Sequence, residues 1–396
     1  FSGIKPMKTL SLSRRLRRTH VSEGLEAAPI KAYSIYNRML LPTRFKSLEE
    51  DCRHLKEAVQ VWDVASQRQV EIKGPDAADL MQRLTPRDLH GMKVGRCYYV
   101  PVVDENGGML NDPVALKLSE DRFWLSLADS DLLLWAMGVA GNGKYDIKLV
   151  EPDVSPLQVQ GPKSNDVMVD LFGSWINDLK YYWCKETELD GIPVVVSRTG
   201  WSGEIGYEVY LRDEKKGADL YEKIMAAGQP YKIAPTGPSQ IRRVEAGIFS
   251  YFQDMRVTDN PYEIGMDRLV DLDMDADFCG KEALKKIKSE GIKRKLVGVE
   301  ILGDPITKIV PPTYTPGYFV PDHWPVHDSS GEEIGYVTSK CFSPRLEKNI
   351  AYCFVPIEHA SKGSKFFIHS PYAKLECVVE DLPFWDPKKQ IPIGKA

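Results

Sequence analysis

The stretch with the clearest chemical content is Ser197-Arg-Thr-Gly-Trp-Ser-Gly-Glu-Ile-Gly-Tyr-Glu-Val-Tyr210. Gly200, Gly203 and Gly206 recur every third residue, a spacing that permits positive φ and close backbone approach. The β-branched run Ile192 to Arg198 precedes this turn and Tyr207 to Leu211 follows it, so the glycines join two strands. A dinucleotide-binding turn would open a helix instead, and that chemistry is disfavoured. On the second strand Glu208 and Tyr210 alternate and therefore share a face.

The elements that must position this turn show coarse periodicity. Asp76 to Leu84 reads as a helix ending before Pro86. Tyr98 to Val103 and Val114 to Leu118 read as strands flanking the turn Asp104-Glu-Asn-Gly-Gly108, with a further strand at Phe123 to Leu127. Helices are expected at Leu132 to Val139, before Gly141-Asn-Gly143, and at Asp213 to Ala227 and Ser239 to Phe249. From Lys295 onward, short strands (Leu296 to Ile301, Glu333 to Ser339, Lys365 to Ile368, Lys374 to Val379) alternate with Pro and Gly. The expected division is an α+β region over 1–290 and a β-rich domain over 291–396.

Bulk composition narrows the function classes. An apolar fraction of 43% is that of a globular chain, and a net charge of −4 argues for neither nucleic acid nor an anionic membrane as partner. No apolar run is long enough to span a bilayer. The seven cysteines form no C-x-x-C pair and the histidines are scattered, so neither a disulfide framework nor a metal site is expected. A reducing, cytoplasmic setting follows. The basic, acid-free arm Lys8 to His20 has the composition of a transit peptide but is read as an arm that folds onto the protein. Phe1 to Pro6, ahead of Met7, reads as an expression scar.

The glycine turn and its strand resemble the signature R-T-G-[YW]-[TS]-G-E-x-G-[FY]-E-[IV]-Y of the glycine-cleavage aminomethyltransferase family. The resemblance recurs in order along the chain, at Tyr99 with Glu105-Asn-Gly-Gly-Met-Leu-Asn-Asp112, at Val159-Gln-Gly-Pro-Lys163 and at Arg243-Val-Glu-Ala-Gly247. It continues at Pro261-Tyr-Glu-Ile-Gly265, Phe278-Cys-Gly-Lys-Glu-Ala-Leu284, Gly335-Tyr-Val-Thr-Ser339 and Ser343-Pro-Arg-Leu346. What it implies is an α+β, three-domain clover-leaf with two folate-binding domains and a C-terminal β-barrel-like domain. It also implies tetrahydrofolate as methyl acceptor, with Glu208 on the family's pterin-anchoring carboxylate. A carboxylate suits that role because it accepts two parallel N–H bonds from the pterin amino group and ring nitrogen. Tyr99 falls on a folate-contacting tyrosine, Tyr210 is a further expected contact, and Arg243 is set either against an anionic part of the ligand or against a core carboxylate.

Departures from the pattern indicate a branch. The family carries G-G-x-x-D-D with the first Asp catalytic, and here that position is Asn111, followed by Asp112-Pro113. An amide cannot supply the carboxylate that helps an amine leave. The chain resembles the dimethylsulfoniopropionate demethylase branch more closely, through Ser13-Arg-Arg, Lys31 to Pro42, Val61-Trp-Asp-Val64, Thr85-Pro-Arg-Asp88 and Ala128-Asp-Ser-Asp131. A sulfonium methyl is already activated, so transfer to folate N5 needs alignment more than acid catalysis. Asn111 and Asp112 are the catalytic candidates, Asp112 as proton acceptor. Trp201, Trp175 and Tyr36, beside Tyr99, are the aromatic candidates for the sulfonium. For the substrate carboxylate, Arg38, Lys31 and Arg17 are candidates. The partner is a small molecule, with homodimerisation left open. The alternatives are a methoxy-aromatic or N-methyl donor, aminomethyl transfer with a lipoyl-protein partner, and a non-catalytic folate-binding protein; the cysteine motif of the last is absent.

Overall fold

A computed structural model describes residues 15–25, 28–141, 143–310 and 323–395. Most of the basic arm, the scar assigned to Phe1 to Pro6, and Asn142 of the glycine turn lie outside the described residues.

A six-stranded sheet carries the signature turn. Its strands run in the order 184–189, 192–197, 206–211, 155–160, 60–63 and 234–236, all antiparallel except the last pair. One face holds Val194, Val196, Tyr207, Val209 and Leu157 against Val167 and Met168 of helix Ser164–Phe172 and Leu220 and Ile224 of helix Gly217–Gly228. Strand Gly206–Leu211 is buried at every position because its other face is covered too.

That other face meets a five-stranded sheet ordered 148–150, 69–73, 122–126, 114–119 and 97–99. Val195 and Tyr210 pack there on Trp124, Leu116 and Cys97, with the Trp124 and Tyr210 rings 5.9 Å apart. Helices Ala77–Leu84 and Leu132–Ala140 cover the far side of this second sheet. The strand expected over Tyr98 to Val103 is two pieces: Cys97–Tyr99 pairs with Val114–Ser119, and Val102–Val103 pairs with Met109–Asn111. Pro101 and Pro113 stand at the breaks, where neither has an N–H to give a ladder.

The C-terminal region closes into a six-stranded barrel, 294–301, 348–356, 333–343, 324–327, 365–369 and 374–380, around Val299, Trp324, Phe366 and Ile368. Sequence reading misses Trp324–His327 and Lys348–Pro356; the latter is apolar without alternation because Ala351, Cys353 and Val355 fill the barrel while Ile350, Tyr352 and Phe354 pack outside it with Val244 and Met266. Beyond the barrel the chain returns across the first two sheets, and the Trp385 N–H donates to the Glu245 carbonyl at 2.9 Å. The helix expected over Ser239 to Phe249 is shorter, Gln240–Glu245. Ser239 caps its start, and Gly247, at φ +66°, turns the chain out of it.

Candidate active site

A cavity of about 850 Å³ opens between the two sheets, the signature turn, helix Gln240–Glu245 and the returning C-terminal segment. Its most buried carboxylate is Glu208, which is 4% exposed. The sheet register places Ser197 and Gln158 on either side of it, on one face. The carboxylate accepts from Gln158 Nε2 at 2.9 Å, from the Thr199 hydroxyl, and from the Tyr210 hydroxyl at 3.2 Å. Burial pushes its pKa up, against the pull of these three donors.

The glycine spacing has a direct cause here. Gln160 lies beneath the turn and donates to the Thr199 and Tyr207 carbonyls, while Ser202 donates to its Oε1 at 2.6 Å. A Cβ at Gly200 or at Gly206 would come within 2.3 Å of that amide. Arg242 holds the turn from the other side through Glu204 at 2.6 Å and the Gly203 carbonyl at 2.8 Å.

A second acid, the half-buried Asp112, stands in the wall of the same cavity. Tyr99 donates to its Oδ2 at 2.8 Å, and Tyr36 and Tyr251 lie close enough to feel its charge. Burial holds Asp112 up at about 7 despite the Tyr99 bond, with Asp254 adding to the effect. Tyr36 is placed by a two-residue hairpin turn in which Asn37 and Arg38 both have positive φ. The Asn37 side chain then bonds the Ser66 and Ala128 carbonyls and the Ser130 N–H. Trp201 also lines the cavity, anchored by its Nε1 to the Phe249 carbonyl at 3.2 Å.

Glu208, Tyr99, Asp112, Trp201 and Tyr36 are thus brought together, whereas the other expected site residues are not. Asn111 is fully buried and outside the cavity wall: its Nδ2 donates to the Ala128 carbonyl and Ser130 Oγ, and its Oδ1 accepts from the Ala128 N–H. It ties down the 128–130 loop, a task needing both an amide donor and an acceptor. Asn111→Asp should therefore lower stability by about 2 kcal/mol, read as a fall in Tm, because a buried carboxylate would face the Ala128 carbonyl. Tyr210 sits behind Glu208 and reaches the cavity only through it. Arg243 is fully buried and bonds Asp254, Ser339 and Gln240, joining its helix to the barrel; its neighbour Arg242 lines the cavity. Trp175 packs on the outer face of the six-stranded sheet with Lys185 Nζ 4.3 Å from its ring, on the side away from Glu208. Of the carboxylate candidates, Arg17 pairs with Glu151 and Arg38 with Asp131, and neither they nor Lys31 line the cavity.

Sequence reading also missed residues that do line it: Gln158, Thr199, Tyr251, Arg242, Tyr182 and a set of cations, Arg87, Arg96, Arg268, Lys388 and Lys389. Gln158 carried a usable signal, a polar residue inside the apolar strand Ser155–Gln160. The cations come from four separate segments, and nothing in their spacing joins them.

Two α+β sheets and a terminal barrel enclosing one pocket, with the signature turn in its wall, define the aminomethyltransferase fold. The chain belongs to the glycine cleavage T-protein family: the GCVT N-terminal domain matches residues 22–274 and the glycine cleavage T-protein C-terminal barrel domain matches residues 294–386. It is 42% identical to the dimethylsulfoniopropionate demethylase DmdA of Ruegeria pomeroyi, over 96% of this chain and 100% of that one. It is 32% identical to an aminomethyltransferase of Bacillus mycoides, over 88% of this chain and 93% of that one. The glycine cleavage system aminomethyltransferase T of Bartonella henselae superposes with a TM-score of 0.82 at 22% identity, covering 93% of this chain and 98% of that structure, and so shares the fold.

Proposed function

We propose that this protein transfers a methyl group from dimethylsulfoniopropionate to N5 of tetrahydrofolate, giving 5-methyltetrahydrofolate and methylmercaptopropionate. The observation that carries this reading is the second acid of the cavity: Asp112 within a wall of Tyr36, Tyr99 and Tyr251, beside the likeness over its full length to a protein named for that reaction. A carboxylate among aromatic faces suits a sulfonium cation. It suits a neutral methoxy-aromatic donor poorly.

The residues present fit a folate. Glu208 has acceptor capacity on the cavity wall for the pterin amino group and ring N–H, and Gln158 and Thr199 fix its plane. Tetrahydrofolate supplies the lone pair of N5. The methyl–sulfur bond breaks with its electrons left on sulfur, so the leaving group is a neutral thioether and no acid is required. Asp112, ionised beside the cation, takes the N5 proton directly or through water. Arg242 is the choice for the substrate carboxylate: the residue lines the cavity, and its buried Nη1 has no hydrogen-bond partner among the described residues. We assign the reaction to the cytoplasm on the cysteines, all seven of them free thiols. Among the described residues no helix is long and apolar enough to cross a membrane.

A donor panel tests the reading. Purified protein with tetrahydrofolate should turn over dimethylsulfoniopropionate far faster than glycine betaine, an N-methyl amino acid, a methoxy-aromatic acid or an aminomethyl-lipoyl carrier. Preference for any of the last four would replace the donor while leaving the folate assignment standing.

A further inference from the structure

The hairpin that presents Tyr36 is a sheet of two strands, Ala32–Tyr36 and Met39–Arg44. Tyr33, Ser34 and Ile35 are exposed, so packing covers little of its first strand. A lone hairpin is marginally stable in water, and its tip is set by what grips it. The grip is Asn37, which is 3% exposed. Its Nδ2 donates to the Ser66 carbonyl at 3.0 Å and the Ala128 carbonyl at 3.2 Å, and its Oδ1 accepts from the Ser130 N–H at 3.1 Å. Its backbone N–H donates to Asp129 at 2.8 Å.

Asn111 holds the same loop from the neighbouring strand. Its Nδ2 donates to the Ala128 carbonyl at 3.1 Å and to Ser130 Oγ at 2.7 Å, and its Oδ1 accepts from the Ala128 N–H at 3.1 Å. One carbonyl oxygen, that of Ala128, therefore accepts from both amides, and both also hold Ser130. Each side chain must donate and accept at once in a buried place, which an amide does and a carboxylate does not. One peptide bond joins Asn37 to Tyr36, and another joins Asn111 to Asp112. Tyr36, Asp112 and Ala128 all line the cavity, and Tyr36 feels the charges of Asp112 and Asp129.

Resting on the sulfonium reading, we infer that Asn37 is a positioning residue for the methyl donor. With Asn111 it clasps the 128–130 loop, and the clasp fixes the spacing between the Tyr36 ring and the Asp112 carboxylate that flank the cation. Positive charge leaves sulfur as the methyl moves, so this chamber holds the bound donor more strongly than the transition state. Loosening it weakens donor binding more than it slows transfer.

The test is steady-state kinetics with dimethylsulfoniopropionate on the full chain, comparing wild type, Asn37→Gly, Asn111→Ala and the double variant. Glycine keeps the positive φ of position 37 and removes only the amide. Each single change should raise the donor KM about tenfold, as the loss of one to two hydrogen bonds would, with kcat falling much less. Tetrahydrofolate affinity should stay within about twofold, because Glu208 stands on another sheet. The double variant should be no worse than the poorer single one, since either cut alone uncouples Tyr36 from Asp112. In Asn111→Ala the Asn37 amide proton should also exchange faster, although Asn111 does not touch it. Asn37→Gly decides by itself should Asn111→Ala not fold. A wild-type donor KM in folded Asn37→Gly, or additive effects in the double variant, overturns the inference and leaves the donor reading intact. No turnover of dimethylsulfoniopropionate by folded wild type overturns the donor reading and the inference with it.

Discussion

Glu208→Ala should weaken tetrahydrofolate binding at least about 100-fold, measured by titration calorimetry or fluorescence on protein whose Tm shows it to be folded. The expectation rests on what the carboxylate does and what surrounds it. In a buried site, two charge-assisted bonds to one heterocycle are together worth about 3 kcal/mol, which is a factor of more than 100 in affinity. Truncation also leaves the Gln158, Thr199 and Tyr210 donors without their shared acceptor. Glu208→Gln separates these effects. It keeps the side chain's volume and one acceptor, so the protein should fold nearly as well as wild type, yet one pterin donor would face an amide N–H. Its affinity should fall by about tenfold or more. Near-normal affinity in either variant would remove Glu208 from the folate site.

The second large effect concerns Asp112. Its pKa in the folded chain, about 7, lies above the ordinary value of 3.8, the reverse of a salt-bridged carboxylate. Below the unfolded pKa the group is neutral in both states and contributes nothing. As pH rises from about 4 to 7 the unfolded chain ionises first, so the native state loses stability, by up to a few kcal/mol, and the loss levels off above 7. Asp112→Asn removes this penalty. Ligand-free, the variant should gain Tm relative to wild type as pH rises from 5 to 8, with no difference near pH 4. Its turnover should nevertheless fall about 100-fold or more, since the amide neither attracts a sulfonium nor accepts the N5 proton. Wild-type kcat/KM should climb as pH passes through about 7, with the variant flat over the same range. A variant with wild-type turnover would strip Asp112 of its role.

The two acids differ in how much of their setting was legible. Glu208 could be found because its strand alternates and the glycines before it mark a turn of unusual closeness; the reason for that closeness, the buried amide of Gln160, lay forty residues upstream. Asp112 and Asn111 are adjacent in sequence, and only the strand Met109–Asn111 ending between them shows that one enters the cavity while the other holds the 128–130 loop. Consecutive arginines pose the same problem. On helix Gln240–Glu245 a single step of rotation sends Arg242 to the cavity and Arg243 to the barrel, and both are wholly buried. Trp175 lies in the short 3-10 helix Ser174–Asp178 on the outer face of the six-stranded sheet, and no local pattern tells that face from the cavity side. The barrel was legible as short strands, but its closure depends on pairing between residues far apart in the chain, such as Arg294–Ile301 with Lys374–Glu380, which no local pattern records.

Methyl transfer itself is the central claim. Dimethylsulfoniopropionate carrying isotopically labelled S-methyl groups should be incubated with tetrahydrofolate and the full chain, and both products followed by mass spectrometry. The account predicts one labelled methyl on 5-methyltetrahydrofolate for each methylmercaptopropionate formed, with the second label retained on the thioether. Release of the thioether without label on folate, or no turnover by folded protein that binds folate, would contradict it.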